Sequence, residues 1–305
     1  MSLGLSVVAA VALDRVLGEP RRWHPLVGFG RYVQFIERAI YTEASTSLGR
    51  RLRGLLAVAL VLLPFIALAA FTRFVPYGFL LDIVLLYLAL GWRSLDEHAR
   101  AVSAALATND LVEARRRVGF MVSRDTADMP PAEVSKATLE SVLENGNDAV
   151  FGALFWFAVA GAPGAVAYRL ANTLDAMWGY KNARYRCFGW AAARLDDALN
   201  FIPARLTALT YAVFGHAARA LACWRRQAPA WASPNAGPVM AAGAGALGVA
   251  LGGSACYEGV ACERPPLGEG AQPCAADIER ALRLVRKGLL LWLVLILLWE
   301  GLRHA

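Results

Sequence analysis

The stretch NTLDAMWGYKNARYRCFGWAAARLDDALNFIPARL, residues 172–206, sets a dense group of ionisable and amide side chains into a chain that is otherwise strongly apolar. Its acids are Asp175, Asp196 and Asp197, its cations Lys181, Arg184, Arg186, Arg194 and Arg205, and its amides Asn172, Asn182 and Asn200. An ionised group is costly to bury alone, so such a cluster beside lipid-compatible segments must be solvated, paired or bound to a charged ligand. Helical spacing puts Arg194 and Asp197 at i, i+3 and Asp196 and Asn200 at i, i+4, which ordinary surface pairs also produce. Taken together, acids beside cations are what holding a phosphate through a divalent ion requires.

The rest of the composition points to a membrane. Of 305 residues, 57% are hydrophobic and 18% charged, and the mean hydropathy is +0.43, too apolar for an ordinary soluble enzyme of this size. The formal charge of +7 suits anionic lipid headgroups or phosphorylated substrates. Nucleic acid is set aside, because there is no zinc finger, RNP-like string or basic helix free of apolar segments. Five cysteines without a CxxC pair or nearby paired histidines indicate neither a zinc site nor a disulfide framework. The apolar N-terminal run, residues 2–13, lacks a basic segment before it and a small-residue cleavage site after it, and reads as an anchor or a packed helix.

Residues 14–38 open on a polar turn containing Asp14, Gly18, Glu19, Pro20, His24 and Pro25, where two prolines and a glycine forbid continuous helix. His24 there is a base, a substrate contact or a structural turn residue. The apolar runs 54–71 and 78–92, preceded by Arg50, Arg51 and Arg53, predict a transmembrane hairpin, and 288–298 a final span after Arg283, Arg286 and Lys287. From Arg93 the pattern is that of polar helices, with Ser94, Asn109 and Asp110 as helix starts. Ser123-Arg124-Asp125-Thr126 could cradle phosphate, but by spacing it predicts a cap for a helix running from Pro131 to Glu144 and stopped by Asn145-Gly146. Glu133, Glu140 and Glu144 share a face of that helix, either a solvated stripe or a metal-binding or acid/base face. The run 149–162 is too short for a span, 206–224 predicts a packed or interfacial helix, and the Gly/Ala-rich stretch ending at Gly253 suits close helix packing. The loop 256–273 carries no readable signal.

Several strings in this order resemble the CobD/CbiB family of cobalamin biosynthesis, the adenosylcobinamide-phosphate synthases: LDRVLGEPRRWHP, SLDEHA, VSRDT, ESVLENGNDAVFGALFW, NTLDAMWGYKN, FGWAAARLDDALNFIPARL, SPNAG and GALGVALGG. The resemblance covers nearly the whole chain. It implies an all-α, polytopic integral membrane protein of the inner (plasma) membrane, with N-terminal membrane helices over 1–92, a helical catalytic region over 93–287 facing the cytoplasm, and a C-terminal membrane helix over 288–305. The implied activity is an amide ligase using ATP and Mg2+ to join adenosylcobyric acid to aminopropanol phosphate or a related amino alcohol.

Carried over residue by residue, the family pattern places polar contacts at His24, Glu144, Asp175, Asp196 and Asp197; the chemistry of these side chains, not the family, suggests catalytic roles for them, with Asp175 and Asp197 as Mg2+ ligands. Substrate or phosphate contacts fall at Ser123, Arg124, Asp125, Thr126, Asn145, Asn172, Lys181, Asn200, Arg205 and Asn235, and further polar contacts at Asp14 and Asp148. The implied partners are the corrinoid, the amino alcohol or its phosphate, membrane lipid, other cobalamin-pathway enzymes and further copies in an oligomer. Three positions depart from the family pattern: Trp231 replaces a usual histidine, Met240 a usual glutamate and Ala153 a usual proline. They bear on activity and on the identity of the amine more than on the fold. A diverged scaffold or sensor is the first rival reading. A lipid-alcohol phosphotransferase is the second, although that group's Asp-Gly-x-x-Ala-Arg core is absent.

Overall fold

The computed structural model describes residues 2–20, 24–43, 46–257 and 259–304, and the side chains of 303 and 304 are excluded. Arg21, Arg22 and Trp23 of the expected polar turn lie outside the described residues. The fold is helical, as expected. In chain order the helices are α1 (Leu3–Leu17), α2 (Pro25–Ile40), α3 (Ser47–Ala70), α4 (Gly78–Ala89), α5 (Trp92–Ala107), α6 (Leu111–Val118) and α7 (Pro131–Gly146). They continue as α8 (Gly152–Ala160), α9 (Ala162–Trp178), α10 (Tyr185–Phe188), α11 (Trp190–Phe214), α12 (Ala217–Gln227), α13 (Ala236–Leu247) and α14 (Ala275–His304). A short antiparallel hairpin, β1 (Ala255–Tyr257) with β2 (Val260–Cys262), pairs Cys256 with Ala261.

The chain packs into two compact units: Met1–Gly91, Gly152–Asn200 and Ile296–Ala305 form the first, Trp92–Phe151 and Phe201–Leu295 the second. Segment 93–287 thus contributes to both.

In the first unit, Phe29, Val33 and Ile36 of α2, Val58 and Val61 of α3, and Leu174 and Trp178 of α9 build one apolar core. The residues recur at helical spacing, so each helix turns one stripe inward. Gly54 lets α3 meet the Phe188 carbonyl, where a Cβ would overlap it. The buried Glu37 accepts hydrogen bonds from Trp178 Nε1 (2.9 Å), Arg184 Nε (2.9 Å) and the Tyr185 hydroxyl (3.1 Å), which fixes the turn after α9. Glu300 accepts from the Leu3 and Gly4 amides at 2.6 and 2.7 Å and so closes the N-terminus of α1.

Two helical stretches are long and apolar enough to cross a membrane, Ser47–Phe74 and Gly78–Ala107, the latter counted across the break at Leu90-Gly91. The expected run 288–298 is the apolar part of α14. Residues 149–162 resolve into a π-helical turn at Asn147–Phe151, the short α8, and a reversal at Gly161 with φ +69° leading into α9.

In the second unit every residue of α13 is buried. Its glycines permit this: a Cβ on Gly243 would strike Leu143 of α7, and one on Gly245 the backbone of Ala220 in α12. Four expectations are corrected here. α7 ends at Gly146, but the chain does not leave helical geometry there: it passes into the π-helical turn, and Gly146 leaves room for the Tyr211 hydroxyl. There the Asn147 amide turns to the Glu144 carbonyl, and Tyr211 donates to the Leu143 carbonyl at 3.0 Å. Ser123 to Thr126 do not cap α7, whose N-cap is Pro130 with no side-chain bond. The run 206–224 is not one helix: α11 ends at Phe214 and His216 caps α12. Ser94 lies inside α5, whereas Asp110 caps α6 by accepting from the Glu113 amide at 3.0 Å.

Candidate functional site

The candidate residues fall into two groups, one in each unit. In the first unit, α9 carries Asn172 and Asp175, and α11 carries Asp196, Asp197 and Asn200. Asp196 is held by carboxamides: Asn200 Nδ2 donates at 3.1 and 3.2 Å and Asn172 Nδ2 at 3.3 Å, while the fully buried Tyr168 donates to Asn200 Oδ1 at 2.8 Å. Tyr168 itself occupies the space a Cβ at Gly152 would need.

Asp175 and Asp197 differ from Asp196. Burial, and then the nearby charge of Asp197, push the Asp175 carboxyl up to about 6. Burial also raises Asp197, against the pull of Arg194, 3.6 Å away, and of Lys181. A Cβ at Gly179 would overlap the Asp175 carboxylate, so only glycine leaves that group its place. Among the described residues no three His, Cys, Asp or Glu side chains gather to hold a metal ion. Mg2+ needs fewer, being bound through one or two carboxylates plus substrate phosphates. Two crowded acids, each with its charged form disfavoured, fit a cation that would relieve them.

His24 is the N-cap of α2, its Nδ1 accepting from the Leu26 amide at 3.1 Å. Burial lowers its pKa, and that bond assigns the neutral ring's proton to Nε2. Its free ring nitrogen is therefore a donor rather than a base. Asp14 is buried in α1. The Lys181 side chain is exposed, on the turn that Glu37 fixes, where Asn182 Oδ1 accepts from the Tyr185 amide at 2.9 Å.

The second unit holds a cavity of about 500 Å³ lined by Ser123, Arg124, Glu140, Glu144, Asn145 and, from later in the chain, Trp231, Ser233, Met240, Glu263 and Arg264. Glu140 is not part of a solvated stripe: it is 2% exposed, whereas Glu133 on the same helix is exposed. It pairs with Arg124, accepts from Arg264 NH1 at 2.9 Å and NH2 at 3.2 Å, and takes the Gly252 amide at 2.8 Å. Desolvation alone would raise its pKa, but the two guanidiniums outweigh it and hold Glu140 below the usual carboxylate range. Asp125 instead secures the hairpin, accepting from the Gly259 amide at 2.7 Å, while its own amide donates to the Cys256 carbonyl. Thr126 lines a second cavity of about 770 Å³, of which Arg124 is also a wall. Asn145 Nδ2 donates to Ser141, and Asp148 accepts from Asn147 Nδ2. Arg205 belongs with this group and not with the acids of 172–200: it binds Asn235 Oδ1 and the Pro234 carbonyl.

Sequence reasoning placed Glu140 only on the shared acidic face of α7 and gave Arg264 no role. Glu140 carried a signal, being a carboxylate four residues before Glu144 on a helix otherwise apolar on that side. Arg264 carried none, because its partner lies 124 positions away.

A family model described as CobD/Cbib protein matches residues 7–285. The chain belongs to the CobD/Cbib family. It is 61% identical over 299 residues to the cobalamin biosynthesis protein CobD of Chromobacterium violaceum, covering 97% of this chain and 96% of the relative. The protein of that name from Stutzerimonas stutzeri is 58% identical over 306 residues, 100% of each chain. The one from Halalkalibacterium halodurans is 35% identical over 316 residues, 99% of this chain and 98% of the relative. No solved structure matches. The CobD/Cbib match takes in Asp175 and Asp197 as well as Arg124, Glu140 and Arg264, so both groups lie within the family's span. Trp231 and Met240, two of the departures from the family pattern, line the cavity of the second unit; the third, Ala153, is buried in α8.

Proposed function

We propose that the chain acts in cobalamin biosynthesis as an ATP-dependent amide ligase, joining adenosylcobyric acid to aminopropanol phosphate or a related amino alcohol to give adenosylcobinamide phosphate. The family match over 7–285 carries the reading. A carboxylate does not react with an amine, so a corrin propionate oxygen first attacks the γ-phosphorus of ATP, giving an acyl phosphate and ADP. The amine nitrogen then attacks the acyl carbon, the bond to phosphate breaks, and inorganic phosphate leaves. The nitrogen's proton goes to a carboxylate base; Glu144 lines the cavity of the second unit. Arg124 there binds phosphate oxygens. In the first unit Asp175 and Asp197 would hold Mg2+, with Lys181 close enough to act on Asp197. Mg2+ bound there would neutralise phosphate oxygens as charge develops on them. Asp196, held by Asn172 and Asn200, keeps α11 in register with α9.

The test is direct: purified protein with adenosylcobyric acid, ATP, Mg2+ and a set of amino alcohols and their phosphates, with the corrinoid product weighed by mass spectrometry. The expected mass is that of one amide, with ADP formed in equal amount. An unchanged corrinoid with every amine, under conditions where the Chromobacterium violaceum relative converts it, would leave a scaffold or sensor in place of a ligase.

The same reading makes the chain a multi-pass membrane protein. Leu52, Leu55, Leu56 and Leu63 of α3 and Leu80, Leu81 and Val84 of α4 are exposed, a surface that suits lipid. Arg50, Arg51 and Arg53 at the start of α3 put that end in the cytoplasm by the positive-inside rule, and the hairpin returns Arg93 to the same side. Residues 93–287 then stay on the cytoplasmic side, where ATP is available, with the apolar helices among them, including α9 against α3, dipping into or resting on the membrane. Single cysteines at Asn182 and Thr126, in a background free of other thiols, should resist an impermeant thiol reagent in intact cells and react after permeabilisation. Labelling of the Asn182 site from outside while Thr126 stays protected would refute this arrangement.

A further inference from the structure

Both ends of α1 are tied to helices whose direction through the membrane follows from their flanking charges. At its start, the Glu300 carboxylate of α14 accepts from the Leu3 and Gly4 amides at 2.6 and 2.7 Å, and a Cβ at Gly4 would overlap both Glu300 and Leu297. At its finish, the hydroxyl of Tyr87, near the end of α4, donates to the Gly18 carbonyl at 2.6 Å. Between these points α1 packs along α4, so the two helices run in the same direction. Arg50, Arg51 and Arg53 start α3 on the cytoplasmic side, hence α4 returns inward from the outer face and α1 beside it does the same. α14 gives the same answer independently. Its cations Arg283, Arg286 and Lys287 precede the apolar run 288–298, which carries Glu300 to the outer face and Leu3 with it. The cations of α1 agree: Arg15 lies in its last turn, and Arg21 and Arg22 follow in the sequence. Leu5, Val8, Val16 and Leu17 are exposed while Val7, Ala10 and Val11 are buried, so a side suited to lipid backs a packed one. The 15 residues of α1 rise about 22 Å, further than the 12 of α4 that it accompanies. A carboxylate facing lipid is costly, whereas at a helix start it meets unpaired amides and the positive end of the dipole.

We propose that α1 crosses the membrane from the outer face inward, its exposed side against acyl chains, so that residues 2 and 302 lie together outside and Glu300 seals that face of the first unit by holding the start of α1. The sequence leaves residues 2–13 as an anchor or a packed helix; the clasp at Glu300 makes α1 a crossing whose direction is coupled to that of α14. This rests on the multi-pass reading of α3, α4 and α14 and is independent of the ligase reading.

Single cysteines in the thiol-free background test it at four sites: Ser2→Cys, Glu19→Cys just past the other end of α1, and Phe74→Cys and Leu302→Cys at the exposed tip of the α3–α4 hairpin and the end of α14. An impermeant thiol reagent should reach residues 2, 74 and 302 in intact cells and residue 19 only after permeabilisation. Protection of residue 2 with residue 74 labelled overturns the proposal and leaves the hairpin standing. Protection of residue 74 as well takes the hairpin reading down with it. Labelling of residue 2 with residue 302 protected, or of residue 19 from outside, also overturns the proposal. Because Ser2 caps α1, a protease site inserted ahead of it is the second reporter. Protease added to intact cells should cut there; cutting only after lysis overturns the proposal. The clasp has a readout of its own. Glu300→Ala should lower the unfolding midpoint of the solubilised chain by several degrees, and Glu300→Gln, which keeps an acceptor and loses the charge, by less. Wild-type midpoints in both variants would overturn the sealing role of Glu300.

Discussion

Two buried acids of this chain have opposite surroundings. Glu140 in the second unit is enclosed by two guanidiniums and a backbone amide and stays ionised. Asp175 in the first unit is pushed up to about 6 by burial and then by the charge of Asp197. Burial opposes the charged form of both. What differs is compensation, and compensation decides use: a fully paired carboxylate holds other groups still, whereas an under-compensated one has a reason to take up a cation or a proton. Composition alone cannot separate the two, since each is a carboxylate on an amphipathic helix.

The contrast predicts stability changes of opposite sign when each acid is replaced by its isosteric amide. The larger belongs to Glu140→Gln. It leaves two nearly buried guanidiniums facing a neutral group, and should cost about 3–5 kcal/mol in denaturant unfolding of the solubilised chain. A loss below about 1 kcal/mol would put this pair in the class of solvated surface bridges and dissolve the comparison.

What the sequence made readable was local. The apolar runs gave α3 and α4, the small residues gave the close packing of α13, and Asp110 gave the start of α6, because each depends on neighbours a few positions away. The acids of 172–200 were legible as a group for the same reason: α9 and α11 are separated only by residues 179–189, which hold the single turn of α10. The errors came from local rules that distant contacts overrode. Asn145-Gly146 looks like a helix stop, but Tyr211 takes the carbonyl that the helix releases and the chain continues. Ser123 to Thr126 look like a cap, but Arg124 is drawn to Glu140 and Asp125 to the hairpin. Arg264 sits in a loop with no periodicity at all, and only the fold brings it to Glu140.

Asp175→Asn should have the next largest effect and the other sign. The folded pKa of about 6 lies above the ordinary value of 3.8. Between those values the folded chain keeps a proton that the unfolded chain has released, so wild-type stability falls as pH rises through the window. Above pH 6 the penalty is complete, and an amide that never ionises avoids it. In Mg2+-free buffer the variant should therefore be more stable than wild type by about 3 kcal/mol well above pH 6, the gain fading below about pH 4. Turnover should move the opposite way, falling at least about a hundredfold, because the amide keeps the shape and loses the metal affinity. Lower stability than wild type at pH 8 would mean that Asp175 is compensated after all, like Glu140.

The smallest effect sharpens the comparison within the first unit. Asp196 neighbours Asp197 in sequence, but Asn172 and Asn200 compensate it, and Tyr168 orients Asn200 by donating to its Oδ1 at 2.8 Å. Tyr168→Phe removes that one hydroxyl from a fully buried position, and with it the hydrogen bond to Asn200 Oδ1. A neutral hydrogen bond lost in this way should cost about 1 kcal/mol, with the same unfolding midpoint shift at pH 5 and pH 8, since no titrating group changes its partner. If Asp196 serves only to keep α9 and α11 aligned, turnover should fall by no more than a few-fold, far less than in Asp175→Asn. A collapse of activity equal to that of Asp175→Asn, at unchanged stability, would move Asp196 from the compensated acids to the reactive ones and leave Glu140 alone as the counterexample.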